Sequence, residues 1–332
     1  MSNSGDNLYL KSLLIPEIYL TNKCNQQCIF CSASANSPDC YIEKELSSEE
    51  VEERLKEIRK FSASVLFSGG KPTLSKHFFD ALKAASVLGF EKIIIESNGQ
   101  NFSQNNFLQK TLAAGGNLFR LSMHAPSARP NDFLTGVLGS FKKTIAGIDN
   151  LKKSGQVVHI NVVVNKINYR SLPKMMKLLE SLKVNSISLS FIFAEGDAEK
   201  NKKIVPAMKE IVPYLRQAVK KVPGKIIMIV HLPFCLLGDL VFYSTWVKFQ
   251  KKVVLDNPNY KITIEPKDVG SVKNVHCKKC RYDNICFGVR KSYTDIYGLK
   301  EIKPISGKKI KQPEDFFKAK KMFFEENKKL TS

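Results

Sequence analysis

Residues 15–31 read Ile15-Pro-Glu-Ile-Tyr-Leu-Thr-Asn-Lys-Cys24-Asn-Gln-Gln-Cys28-Ile-Phe-Cys31, a strand-like apolar run followed by three closely spaced cysteines. From there to Ile192, short β-branched or apolar runs alternate with amphipathic stretches, the pattern of a parallel sheet built from βα units. The spacing predicts strands at Ile15–Leu20, Ser64–Phe67, Lys92–Glu96, Leu118–Met123, Val157–Val164 and Ser186–Phe191. It predicts helices over about Ser47–Phe61, Lys76–Leu88, Gln104–Ala114, Ser140–Ser154, Leu172–Leu182 and Val205–Lys221. Ser47 with Glu50 forms a capping-box pattern, and Gly89 and Gly155 stand where helix C-caps belong. The expected fold class is α/β, a partial TIM-like (βα)6 barrel with its active site at the C-terminal ends of the strands.

The C-x3-C-x2-C spacing puts three thiolates on one loop after the first strand, where they can bind three corners of a 4Fe-4S cubane and leave the fourth iron open. The alternative is a zinc site, but zinc knuckles use paired C-x2-C units and a fourth ligand.

At these residues the chain resembles the radical SAM superfamily, and the resemblance runs from Ile15 to about Glu195. It implies a 4Fe-4S cluster on Cys24, Cys28 and Cys31, whose open iron is chelated by S-adenosylmethionine (SAM). It also implies reductive cleavage of SAM to a 5'-deoxyadenosyl radical that abstracts a substrate hydrogen, the protein orienting the cofactor and excluding water. By the same resemblance Phe30 lies beside the adenine, and Gly69 and Gly70, in Gly69-Gly70-Lys71-Pro72, approach the SAM amino group. Lys71 stands where relatives carry an acidic residue. Ser97, Asn98, Ser122 and Asn165, at successive strand ends, are further cofactor-binding candidates. His124, Glu195 and Cys235 are catalytic candidates, although a lone His is often structural.

The remaining cysteines include Cys235, Cys277, Cys280 and Cys286, enough for a fully ligated second 4Fe-4S cluster. A zinc ribbon is the alternative. This region resembles the auxiliary-cluster module of the SPASM/Twitch group of radical SAM enzymes, in its one-cluster form. Cys40 matches neither group.

The 332 residues, 43% hydrophobic and 25% charged, suit one large core with a small appended module. The expected divisions are 1–224 for the barrel, 225–308 for the auxiliary cluster module and 309–332 for a charged amphipathic helix or tail. The first twenty residues lack the pattern of a secretory signal, and the longest apolar stretch, Ile226–Tyr243, is interrupted by His231, Pro233, Gly238 and Asp239, so it reads as a buried strand followed by a turn and a short helix. A cytoplasmic protein without membrane partners is expected, in keeping with cysteines grouped for metal rather than disulfides. Net charge is +21, yet only eight of the 52 basic residues are Arg. A solvated lysine surface is therefore favoured over a nucleic-acid site, which leans on the guanidinium fork.

Function is read first as a maturase that modifies a peptide or protein, by crosslink, thioether, epimerisation or oxidation. Oxidation or rearrangement of a small molecule such as a sugar or cofactor precursor is the alternative, and a nucleic-acid-binding protein with structural clusters is a third. The resemblance implies an electron donor such as flavodoxin or ferredoxin. Cys24 leaves no room before it for a leader-peptide-binding domain, so leader recognition would fall to a separate protein or to the basic surface.

Overall fold

Seven strands, β1 (Glu17–Thr21), β2 (Ser64–Gly69), β3 (Lys92–Ser97), β4 (Leu118–Ser122), β5 (Val157–Val164), β6 (Ser186–Phe191) and β7 (Ile226–Val230), pair in chain order as one sheet, every pair parallel. The computed structural model describes residues 15–38, 40, 45–245, 247, 253–256, 261–264 and 270–329. The N-terminal stretch through residue 14, read above for a secretory signal, and residues 330–332 of the tail lie outside them.

The intervening helices are α1 (Ser48–Arg59), α2 (Phe78–Val87), α3 (Asn105–Ala113), α4 (Ala128–Thr135), α5 (Ser140–Lys153), α6 (Leu172–Ser181) and α7 (Met208–Lys220). The capping box at α1 forms as expected: Glu50 N–H donates to Ser47 Oγ at 3.2 Å and Ser47 N–H to Glu50 Oε2 at 2.9 Å. The sequence reading has no counterpart to α4. Pro130 hides it, yet lies in the first turn, where a missing N–H breaks no intrahelical bond.

The sheet has one strand more than the six expected. Ile226–Val230, which the sequence reading places in the second unit, pairs with β6 from Ser186↔Ile226 to Ser190↔Val230. Pro223-Gly224 is thus a turn into the sheet, and the expected boundary after residue 224 falls one strand too early.

Beyond β7, Ser244 makes a parallel bridge with Ile229 of that strand. β8 (Val253–Asp256) pairs with β9 (Lys261–Ile264), and β10 (Ser271–Val272) with β11 (Val289–Arg290), both antiparallel. In α8 (Lys291–Tyr297), Tyr293 Oη accepts the N–H of Met208 at 2.9 Å and Tyr297 Oη donates to the Val205 carbonyl at 2.8 Å. The final helix, α9 (Pro313–Lys329), buries Phe316 to 1% exposure against Phe234 and Phe242. Among the described residues no helix is long and apolar enough to cross a membrane.

Candidate active site

Parallel pairing brings the C-terminal ends of all seven strands to one side, and a cavity of about 310 Å³ lies there. Cys24, Cys28 and Cys31 line it from the loop after β1, facing residues from β2 through the end of β7. The loop is held on several sides. Gln27 and Ile29 donate backbone N–H groups to the Thr135 and Leu134 carbonyls of α4, at 2.9 and 3.1 Å. Asn36 brackets Cys24, accepting its N–H at Oδ1 and donating Nδ2 to its carbonyl, each at 2.8 Å. Two glycines let other backbone come close: a Cβ on Gly136 would stand 2.6 Å from the Gln27 carbonyl oxygen, and one on Gly196 2.4 Å from that of Cys31.

The thiols lie within one another's field. Burial pushes the Cys24 thiol up, and the neighbouring Cys31 adds to this, while the Gln26 N–H, 3.4 Å from Sγ, and the Lys71 charge pull it down. Cys28 is raised further, by burial first and then by Cys24 and Cys31. Among the described residues, no three His, Cys, Asp or Glu side chains gather as around a single metal ion. In a cubane each thiolate instead binds a different iron, so a wider spread of sulfurs suits it.

Gly69 and Gly70 line the cavity, but their missing Cβ atoms make room for the chain itself. A Cβ on Gly69 would stand 2.5 Å from the Thr21 carbonyl oxygen, and one on Gly70 2.4 Å from that of Asn22. These glycines thus seat the cysteine loop on β2. Lys71 is 1% exposed, and burial lowers its ammonium to about 8, against the nearby Cys24 thiol, which raises it.

Of the other expected cofactor-binding residues, Phe30, Ser97, Asn98 and Ser122 line the cavity and Asn165 does not. Asn165 is fully buried in its own turn, accepting the Ile167 N–H at 2.9 Å and donating to the Val163 carbonyl at 3.1 Å. The asparagine that β5 turns inward is Asn161, which the two-residue period along Val157–Val164 could have identified.

His124 lines the cavity, but burial lowers its pKa to about 3, and Nδ1 accepts the Val163 N–H at 3.2 Å. In this neutral ring the proton sits on Nε2, and the imidazole packs edge-on against Phe30 at 4.7 Å between centroids. Glu195 does not line the cavity. Its carboxylate accepts from Arg290 Nη2 at 2.7 Å and from Ser292 Oγ at 3.2 Å, tying the end of β6 to the C-terminal region.

The sequence reading missed the carboxylates Glu17, Glu96 and Asp197 in the lining. Glu17 is held up by burial and then by Glu96, and accepts a short hydrogen bond from Ser68. Glu96 is bound by Arg120 at 3.2 Å. Lys71 is the one Lys or Arg among the described lining residues, and burial also holds His231 near 3. The cavity of this basic chain is acidic.

Cys235, Cys277, Cys280 and Cys286 line a second cavity, with Tyr282, Gly288 and Ile302. Burial and then the charges of the other three push the Cys235 thiol up to about 12. Backbone N–H groups of Gly288 and Ile305 donate to Cys286 and Cys280 sulfurs at 3.3 and 3.4 Å, as thiolate ligands accept. Cys40 lines neither cavity.

Residues 18–179 match the radical SAM superfamily. A Saccharolobus solfataricus protein named "Probable GTP 3',8-cyclase" is 32% identical over 211 residues, which are 63% of this chain and 67% of that protein. Among solved structures, Streptococcus suis SuiB bound to its precursor peptide SuiA is 18% identical, with TM-score 0.51 over 65% of this chain and 49% of that one. SuiB bound to S-adenosylmethionine gives 17% identity and TM-score 0.52 over 68% of this chain and 52% of that one. The chain thus spans about half the length of these solved chains, and the likeness to them is one of fold.

Proposed function

Because this chain belongs to the radical SAM superfamily, we propose that its cavity holds SAM on a 4Fe-4S cluster ligated by Cys24, Cys28 and Cys31 and abstracts hydrogen from a substrate that carries no phosphate, such as a peptide side chain. When bound, the cluster supplies the electron that cleaves SAM to the 5'-deoxyadenosyl radical. The observation that carries the reading is the convergence of three thiols from one loop with residues on, or just after, each of the seven parallel strands on a single cavity. In it Ser97, Asn98 and Ser122 orient the cofactor, Phe30 packs beside it, and the buried walls exclude water.

The charge of the lining supports the substrate class. Three carboxylates and one lysine, whose donors are spent on asparagines, offer a polyanion no cationic clamp. A second reading, a small-molecule cyclase, draws on the similarity to the protein named "Probable GTP 3',8-cyclase". The two readings separate on adding GTP to reduced enzyme and SAM. No stimulation of SAM cleavage and no GTP consumption are expected; consumption of GTP in step with 5'-deoxyadenosine would overturn the phosphate-free reading.

The second cysteine group belongs to the same proposal. Cys235, Cys277, Cys280 and Cys286 would hold a fully ligated auxiliary cluster, which can pass an electron and offers no open iron to the substrate.

A further inference from the structure

Lys71 lines the cavity beside Cys24, at 1% exposure. Its Nζ donates to Asn25 Oδ1 at 3.1 Å, to Asn101 Oδ1 at 3.3 Å and, in a short bond, to Asn98 Oδ1. Other bonds fix how these amides are turned. Asn98 accepts the Gln100 N–H at Oδ1, 3.2 Å away, and donates Nδ2 to Asn25 Oδ1 at 2.8 Å, while Asn101 Nδ2 donates to the Thr73 carbonyl at 3.3 Å. Three oxygens therefore face one nitrogen, which calls for the three N–H groups of an ammonium, one more than an amine has. None of these three partners is a carboxylate, so the hydrogen bonds satisfy the donors without cancelling the charge. With every donor spent, the group acts on a neighbour through its charge, and Asn25, one of its partners, directly follows Cys24.

We propose that Lys71 tunes the cluster: a fixed, buried positive charge beside Cys24 that raises the reduction potential of the 4Fe-4S centre on Cys24, Cys28 and Cys31. The inference rests on the cluster assignment above. Cluster potentials respond to local charge and to hydrogen bonds at the sulfurs. Taking one electron from a one-electron reductant makes the centre more negative, so an uncancelled cation stabilises the reduced state more than the oxidised one. Surface lysines are screened within about 8–10 Å at ordinary salt, whereas a buried charge is screened much less.

The test is an EPR-monitored potentiometric titration of the reconstituted full chain, reduced with dithionite in the absence of SAM. Lys71→Met keeps the apolar stem and removes the charge. At a fixed potential its ratio of reduced to oxidised cluster should fall at least about tenfold, a midpoint about 59 mV lower for a one-electron couple. If Lys71→Met does not retain iron, Asn101→Asp decides: it leaves Lys71 and the cysteine loop in place, sets a carboxylate against the ammonium, and should also lower the midpoint. An unchanged or raised midpoint in a variant with wild-type iron content would overturn the role of Lys71. Wild-type protein without a reducible cluster would overturn the cluster assignment itself, so the two failures are distinguishable.

Discussion

The backbone carbonyl of Cys31 accepts the N–H of Asp197 at 2.9 Å, so the third cysteine of the loop is pinned by the turn that follows β6. Gly196 makes that contact possible, with φ +60° and a Cβ position only 2.4 Å from the Cys31 oxygen. Gly196→Ala must displace either the turn or the loop. The expected cost is about 1–3 kcal/mol of unfolding free energy, read by denaturant titration, together with iron uptake well below wild type. Wild-type stability with full iron content would show that the pinning is dispensable.

The Arg290–Glu195 pair makes a different prediction, because Glu195 is 38% exposed and Arg290 17%. Partial solvent screening limits the pair to about 1 kcal/mol. Arg290→Met should lower stability by that order, and Glu195→Gln should leave SAM cleavage within about twofold of wild type. A loss of cleavage greater than about tenfold in folded Glu195→Gln would restore that carboxylate as a catalytic group.

Three histidines, His124 and His159 buried and His231 half-buried, set the acid response. His124, His159 and His231 are held near pH 3, against 6.5 when free, chiefly by burial. A base whose folded pKa is depressed takes up its proton first in the unfolded chain. These groups therefore leave stability intact above pH 6.5, and stability falls as pH drops from 6.5 toward 3. Urea midpoints of the iron-free protein should decline through that window, and His159→Gln should make the decline shallower. A flat profile from pH 6.5 to 4 would contradict the neutral state of these rings.

For the late cysteines, iron content decides. A variant with Ala at Cys24, Cys28 and Cys31 should retain about four irons per chain on Cys235, Cys277, Cys280 and Cys286. Zinc in that variant, or no metal, would remove the auxiliary cluster. Retained iron after Cys235→Ala alone, with turnover lost, would move Cys235 from ligand to hydrogen donor.

The periodicity of β1 to β6 made the sheet legible from the sequence, since parallel strands buried on both faces read as apolar runs. Ile226–Val230 also reads as a buried strand, but it follows a Pro-Gly turn and precedes the first late cysteine, so local composition pointed to a new unit rather than to a seventh place in the sheet. Contacts between distant positions were illegible for a different reason. The fate of Glu195 depends on Arg290, and that of Lys71 on Asn25, Asn98 and Asn101, pairings that only the fold creates. The inward carboxylates Glu17 and Glu96 lie within predicted strands, but strands buried on both faces lack the clear alternation that would tell which of their residues turn inward.

The central claim is tested most directly by measuring 5'-deoxyadenosine from anaerobically reconstituted, dithionite-reduced protein with SAM. Wild-type protein should form it, and protein with Ala at Cys24, Cys28 and Cys31 should form none above background. Equal amounts from the two proteins, or none from wild type carrying its full complement of iron, would contradict the account.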